Sequence, residues 1–274
     1  MTEDTDRMAV YARPVRTTFR LLLIALLTLP CFVAAEPHNS AGKLRVLTEH
    51  SPPGEYLDAS GRVTGPTAEM VRELMRRAGE AAEIELHPWK RGYEYALSDQ
   101  PVALFETART RERETLFKWV GPIKRIARGL YALEENGQML ERLEDARAAA
   151  GICTYNGDSS ADLLLQQGFA NLARPTLPEQ CLSMLLHKRV ALWATSEIEK
   201  DAYLASHHLP PNVITRVLKL EMRELYIAFS LATPDSTVKR WQTVLDEMKR
   251  DGTLAAFYRD TYSEEQIKAV SSVE

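Results

Sequence analysis

Three arginines stand within five residues in the stretch FETARTRERETLFKWVGP, residues 105–122: Arg109, Arg111 and Arg113, with Thr107 and Thr110 among them. A guanidinium grips a carboxylate through two parallel hydrogen bonds, which an ammonium cannot do. Thr110 is a good N-cap, so the spacing predicts a helix whose first turn holds Arg111, Glu112 and Arg113. Unpaired N–H groups and the helix dipole would then draw an anion. The stretch follows the apolar run VALFE, and the carboxyl end of a strand is where open α/β sheets bind ligands. Arg113 and Arg109 are the two candidates for holding an anion. Arg111, beside Glu112 and Glu114, reads as solvated, as do Arg125 and Arg128.

Composition narrows the choice. The chain has 274 residues, 26% charged and 45% hydrophobic, with a formal net charge of −4. Nucleic-acid binders carry a net basic domain or stripe, so the arginine cluster is local and nucleic acid is not expected as a partner. The six histidines and three cysteines show no metal-ligand spacing, and neither a glycine-rich phosphate loop nor a G-x-S-x-G nucleophile motif appears. No metal, cofactor or catalytic residue is predicted. Glu49 and Glu106 are the acids that a general acid–base role would use.

Arg13, Arg16 and Arg20 precede the apolar stretch LLLIALLTLPCFVAA, which ends on small residues at Ala34-Ala35. Residues 1–35 therefore read as a secretory signal peptide, too short in its apolar part to span a bilayer. The mature protein is expected outside the cytoplasm. Cys153 and Cys181 then remain, suited either to a disulfide in an oxidising compartment or to two buried thiols. Spacing leaves both open.

The elements that must position these residues alternate. Strands are predicted at 44–49, in AEIELHP, at 102–106, 150–155, 190–195 and 225–232. Helices are predicted between them. Ala68, Val71, Leu74, Met75 and Ala78 share one helical face, and Val238, Trp241, Leu245 and Met248 another. Tyr56 and Tyr93 read as packing residues. Trp119 and Trp193 read as core or hinge. The polar tail after Ser263 reads as frayed. Alternation of this kind argues an α/β fold with largely parallel sheets.

The order of motifs carries a resemblance. A strand, PP…Y…G…TG, a helix, PW, a helix and a strand lead into T-A-R-T-x-E-R and F-x-W-V-G-P, with GRVTGPTAEMVRELMRRAG and MLLHKRVALW in support. Over roughly residues 42–264 the chain resembles the family 3 extracellular solute-binding proteins, the polar-amino-acid type that feeds ABC importers. The resemblance implies a two-lobed periplasmic binding protein fold (type II), each lobe a mainly parallel sheet flanked by helices, with two strands crossing at a hinge. Lobe 1 would comprise 36–132 plus 226–274, and lobe 2 133–225. A small carboxylate-bearing solute would bind between them, an inner-membrane ABC permease would be the partner, and the protein would be a periplasmic monomer. The matching site positions are Glu49 or its neighbour Ser51, Trp89, Phe105, Glu106, Thr107, Arg113 as carboxylate clamp, and the hydroxyls Ser159 and Ser160. Ser196 stands where the family usually has an aspartate for the ligand ammonium, so Glu49 or Glu106 would meet the amine or the ligand would not be a standard α-amino acid. A periplasmic dehydratase of cyclic carboxylic acids and a ligand-presenting sensory protein are the alternatives.

Overall fold

The computed structural model describes residues 43–272. The signal-peptide reading and its cleavage site lie outside the described residues. The chain opens with β1 (Arg45–Thr48), the short hairpin strands β2 (Tyr56–Leu57) and β3 (Val63–Thr64), and α1 (Pro66–Arg77). Then come β4 (Ile84–Leu86), α2 (Trp89–Ala96), β5 (Val102–Ala108) and the long β6 (Lys118–Leu133). They are followed by β7 (Ile152–Cys153), α3 (Ser159–Gln166), β8 (Leu172–Ala173), α4 (Glu179–Leu186), β9 (Leu192–Ser196) and α5 (Glu197–Ser206). A second long strand, β10 (Ile214–Phe229), leads into α6 (Asp235–Arg250), α7 (Thr253–Tyr258) and α8 (Glu264–Ser271).

The main sheet runs β4-β1-β5-β10-β6-β9-β7-β8. Both ends are parallel: β4, β1 and β5 on one side, β9, β7 and β8 on the other. The centre is antiparallel, because β10 pairs with β5 and β6, and β6 pairs with β9. Two 16-residue strands therefore join the parallel ends, as expected of a two-lobed α/β fold crossed by paired strands.

Apolar side chains sort by strand period. Leu130, Ala132, Ile152, Leu192 and Ala194 pack on one face of the second half, while Tyr131, Leu133, Cys153 and Trp193 pack on the other. The first half buries the predicted α1 stripe together with Trp241, Leu245 and Met248 of α6. Cys153 on β7 and Cys181 on α4 are joined as a disulfide, with Cα atoms 5.4 Å apart. No helix among the described residues is long and apolar enough to cross a membrane.

Four expectations differ from what is found. No α-helix follows Thr110: residues 111–113 form a turn, closed by Arg113 N–H on the Thr110 carbonyl, and a single 3-10 turn spans Glu114–Leu116. β6 begins at Lys118, so too few residues remain to repay helix nucleation. The strand predicted at 225–232 is only the end of β10, and β6 was not predicted from pattern at all. Both strands carry several charged residues, and the β10–β6 ladder has three register shifts, so neither shows clean alternation. The tail after Ser263 is a helix, capped reciprocally by Ser263 and Gln266 and anchored by buried Val270. Tyr56 is 37% exposed, at the end of a two-residue edge strand that offers nothing to pack against.

The disulfide closes a loop of 28 residues. Replacing both cysteines by alanine is expected to lower the unfolding free energy by about 3 kcal/mol, read by chemical denaturation.

Candidate functional site

β5 ends in an irregular step. Its ladder with β10 shifts register between Leu104 and Thr107, and Glu106 there adopts φ +63°, a conformation that non-glycine residues seldom take. The shift directs Glu106 and Ala108 to the wall of a cleft between the two halves of the sheet. Phe105 turns into the apolar core, and the Thr107 hydroxyl donates to the Leu104 carbonyl, so neither lines the cleft.

Arg113 lies in that wall, 4% exposed. Its guanidinium sits over the rings of Tyr93 and Trp89, 5.0 and 5.6 Å from their centroids. Its Nη2 donates to the Gly157 carbonyl (2.9 Å) and to Asp162 (2.7 Å), whose side chain is 46% exposed. Trp89 Nε1 donates to the same carbonyl at 2.6 Å. Gly157 has φ +81°, and a Cβ there would stand 3.2 Å from the Trp89 ring, so glycine suits this close approach. The neighbouring Arg109 is exposed outside the cleft, paired with Glu114 and stacked on Trp119 and Tyr226. Arg111 is exposed as expected.

The far wall is built around Arg128, which was expected at the surface and is 4% exposed. It donates to Asp158 (2.9 Å), to Glu199 (3.0 Å) and twice to the Ser160 hydroxyl. Asp158 is also the N-cap of α3, accepting from Ser160 N–H at 2.7 Å. Burial alone would raise the Asp158 carboxyl, but Arg128 and Ser160 hold it below the usual range. Ser159 lines the cleft beside Asp158, whereas the Ser160 hydroxyl belongs to Arg128. Ser196 caps α5 in a reciprocal box with Glu199 and lines a different surface pocket. Three residues further on, Glu199 supplies the carboxylate that reaches the cleft.

Glu49 follows β1 and is 4% exposed. Its Oε1 accepts from the Tyr155 phenol at 2.9 Å, while Oε2 has no partner. Burial pushes this carboxyl well above its ordinary value, against the pull of the Tyr155 hydrogen bond. Ser51 also lines the cleft. Behind this wall the Lys124 ammonium meets Glu106 Oε2 at 2.5 Å and lies over the Tyr262 ring. Glu55 is fully buried, and neither of its oxygens has a partner. Burial and then the Glu106 charge push Glu55 far upward, while Lys124 opposes them.

A family model for bacterial extracellular solute-binding proteins, family 3, matches residues 44–264. The chain belongs to that family. Among solved structures, this solute-binding protein is similar to a histidine kinase sensor domain with similarity to periplasmic binding proteins (TM-score 0.73, 15% identity, 82% of this chain and 98% of that one). It is also similar to an ancestral arginine-binding protein bound to arginine (0.70, 17%, 81% and 100%). A third is a periplasmic His/Glu/Gln/Arg/opine family-binding protein from Silicibacter pomeroyi in complex with lysine (0.65, 17%, 84% and 99%). At these identities the likeness shows the shared two-lobed fold. No match is found among curated protein sequences.

Within the solute-binding protein, Glu49, Trp89, Glu106, Arg113 and Ser159 come together around one cleft, while Phe105, Thr107, Arg109 and Ser196 do not line it. Sequence reasoning missed Arg128, Tyr155, Asp158 and Glu199 as cleft residues, and Tyr93 as a platform for Arg113. Asp158 and Glu199 carried a local signal, since both occupy helix-capping positions next to hydroxyls. Arg128 had none, because its partners lie 30 and 71 residues away.

Glu55 sets a pH dependence. A carboxyl whose folded-state pKa exceeds its unfolded value makes stability fall as pH rises above the unfolded value. Glu55→Gln removes the ionisable group without changing the shape. Thermal melts are expected to show a larger gain for the variant at about pH 8 than at about pH 5.

Proposed function

We propose that the protein is a periplasmic solute-binding protein whose cleft captures a small, amino-acid-like solute by its carboxylate and delivers it to an inner-membrane ABC importer. The observation that carries this reading is Arg113. It is buried, stacked on two aromatic rings and in contact with the opposite wall of the cleft. Among the described residues its guanidinium hydrogen bonds all come from Nη2; the two edges a carboxylate can grip pair that nitrogen with Nε or with Nη1, so one of them opens when Nη2 releases a partner. Asp162, half in solvent, is the contact that a solute carboxylate would displace.

In this reading lobe 1 comprises 36–132 with 226–274 and lobe 2 133–225, and the protein acts as a monomer that closes about β6 and β10. Contacts already bridge the two sides: Arg113 to Gly157, Tyr155 to Glu49 and the Tyr203 phenol to the His50 carbonyl. The Cys153–Cys181 disulfide agrees with an oxidising compartment. Presentation of the bound solute to a separate receptor is the second reading, favoured by the match to nearly all of a kinase sensor domain.

A thermal-shift screen of the purified protein against amino acids, dicarboxylates, polyamines and cyclic carboxylic acids tests the reading. A stabilising carboxylate without turnover is expected, and turnover of a cyclic acid would replace binding by catalysis. Arg113→Ala is expected to weaken binding of that carboxylate by about 2–5 kcal/mol with the unliganded melting temperature little changed, as calorimetric titration would read. Unchanged affinity would remove the clamp.

A further inference from the structure

The charges around the cleft do not balance. Glu49, Glu55, Glu106, Asp158, Asp162 and Glu199 stand against three cations, Arg113, Lys124 and Arg128. Arg223, at the rim, is matched by Glu221, and burial lowers the His50 imidazole against the pull of Glu179. Arg128 has two carboxylates and a hydroxyl as partners. Lys124 has Glu106 Oε2. Arg113, whose carboxylate partner among the described residues is the half-exposed Asp162, is the cation left to exchange that partner for a solute carboxylate.

The carboxyls are in the opposite state. Glu49 Oε2, Glu106 Oε1 and both oxygens of Glu55 are buried without a hydrogen-bond partner, and Glu49 and Glu106 line the cleft itself. A buried carboxylate oxygen without a donor is costly. A zwitterionic amino-acid head group adds one charge of each sign and leaves the surplus untouched. We propose that the cleft selects a solute of net positive charge, an amino-acid head group carrying a second basic nitrogen, and that Glu49 and Glu106 receive that nitrogen. This rests on the reading of the cleft as the solute site and narrows its solute class. Among the described residues no group of three or more His, Cys, Asp or Glu side chains is arranged to hold a metal ion, so an organic nitrogen is the cation that fits.

Protonation covers the surplus until such a solute arrives. Burial raises the Glu49 and Glu106 carboxyls, with Glu199 and Asp158 adding to it at Glu49, and with Lys124 opposing it at Glu106. A cationic nitrogen takes the place of a proton, so binding releases protons and strengthens as pH rises.

Calorimetric titration of the purified protein with L-lysine, L-glutamine, L-glutamate and putrescine tests this. L-Lysine is expected to bind about tenfold or more tighter than L-glutamine or L-glutamate. Its affinity should rise from about pH 6 to about pH 8, and titrations in phosphate and Tris should differ by the heat of released protons. Glu49→Gln keeps the acceptor for Tyr155 and is expected to erase both the lysine preference and the proton release. Its melting temperature establishes that it folds. Glu106→Gln strips Lys124 of its counter-ion and is the second variant, read only if its melt is cooperative. L-Glutamine or L-glutamate binding as tightly as L-lysine overturns the charge selection and leaves the carboxylate reading standing. Putrescine binding with no amino acid bound keeps the cation preference and overturns the head group. Lysine affinity indifferent to pH and to Glu49→Gln overturns the assignment of the receiving carboxyls. A folded protein that binds none of the probes overturns both readings.

Discussion

Arg128 holds the cleft together. One buried guanidinium on a crossing strand meets the capping residue of α3 through Asp158 and the first turn of α5 through Glu199. Each carboxylate also serves its own helix, so the same contacts that neutralise the arginine fix where two helices begin. An ion triad this deep adds little net stability over apolar packing, but loss of one member leaves the others buried and unmatched, at a cost of about 3–5 kcal/mol. The position of α3 in turn sets Ser159, Gly157 and Asp162 against the opposite wall.

That wall depends on a different constraint. A shift of register and one strained residue at the end of β5 expose Glu106 to the cleft while Phe105 remains in the core. The residues that follow make a tight turn instead of a helix, and the turn presents Arg113 to Trp89 and Tyr93. The aromatic faces fix the plane of the guanidinium. Both walls therefore offer polar groups whose orientation is set by packing before any solute arrives.

The cleft combines fully paired cations, Arg128 and Lys124, with acids whose oxygens lack partners, and that asymmetry gives it chemical character. Apolar contact comes from Ala108, Ile126 and Leu225, a small cluster on the strands between the two walls. A pocket with an apolar floor, aromatic sides and a few converging charges is the usual form of a small-molecule site.

Much of this protein was legible in the amino-acid order. Helical stripes such as Ala68–Val71–Leu74–Met75, the alternation of strand and helix and the ordered motifs determined the fold class and the family. Those signals are local, carried by residues within a turn or two of one another. They also marked Arg113, Trp89 and Glu49 as worth watching. Tertiary structure alone decided which arginine enters the cleft, since Arg109 and Arg113 sit in the same motif and are distinguished by a turn that β6 imposes. It alone brought Arg128 inside, joined Cys153 to Cys181 and put Glu199 where Ser196 was expected. Each of those outcomes pairs groups about thirty or more residues apart, or turns on which face of an element the fold covers. Their energies arise only after burial, when desolvation makes an unmatched charge expensive, and no stretch of sequence records that by itself.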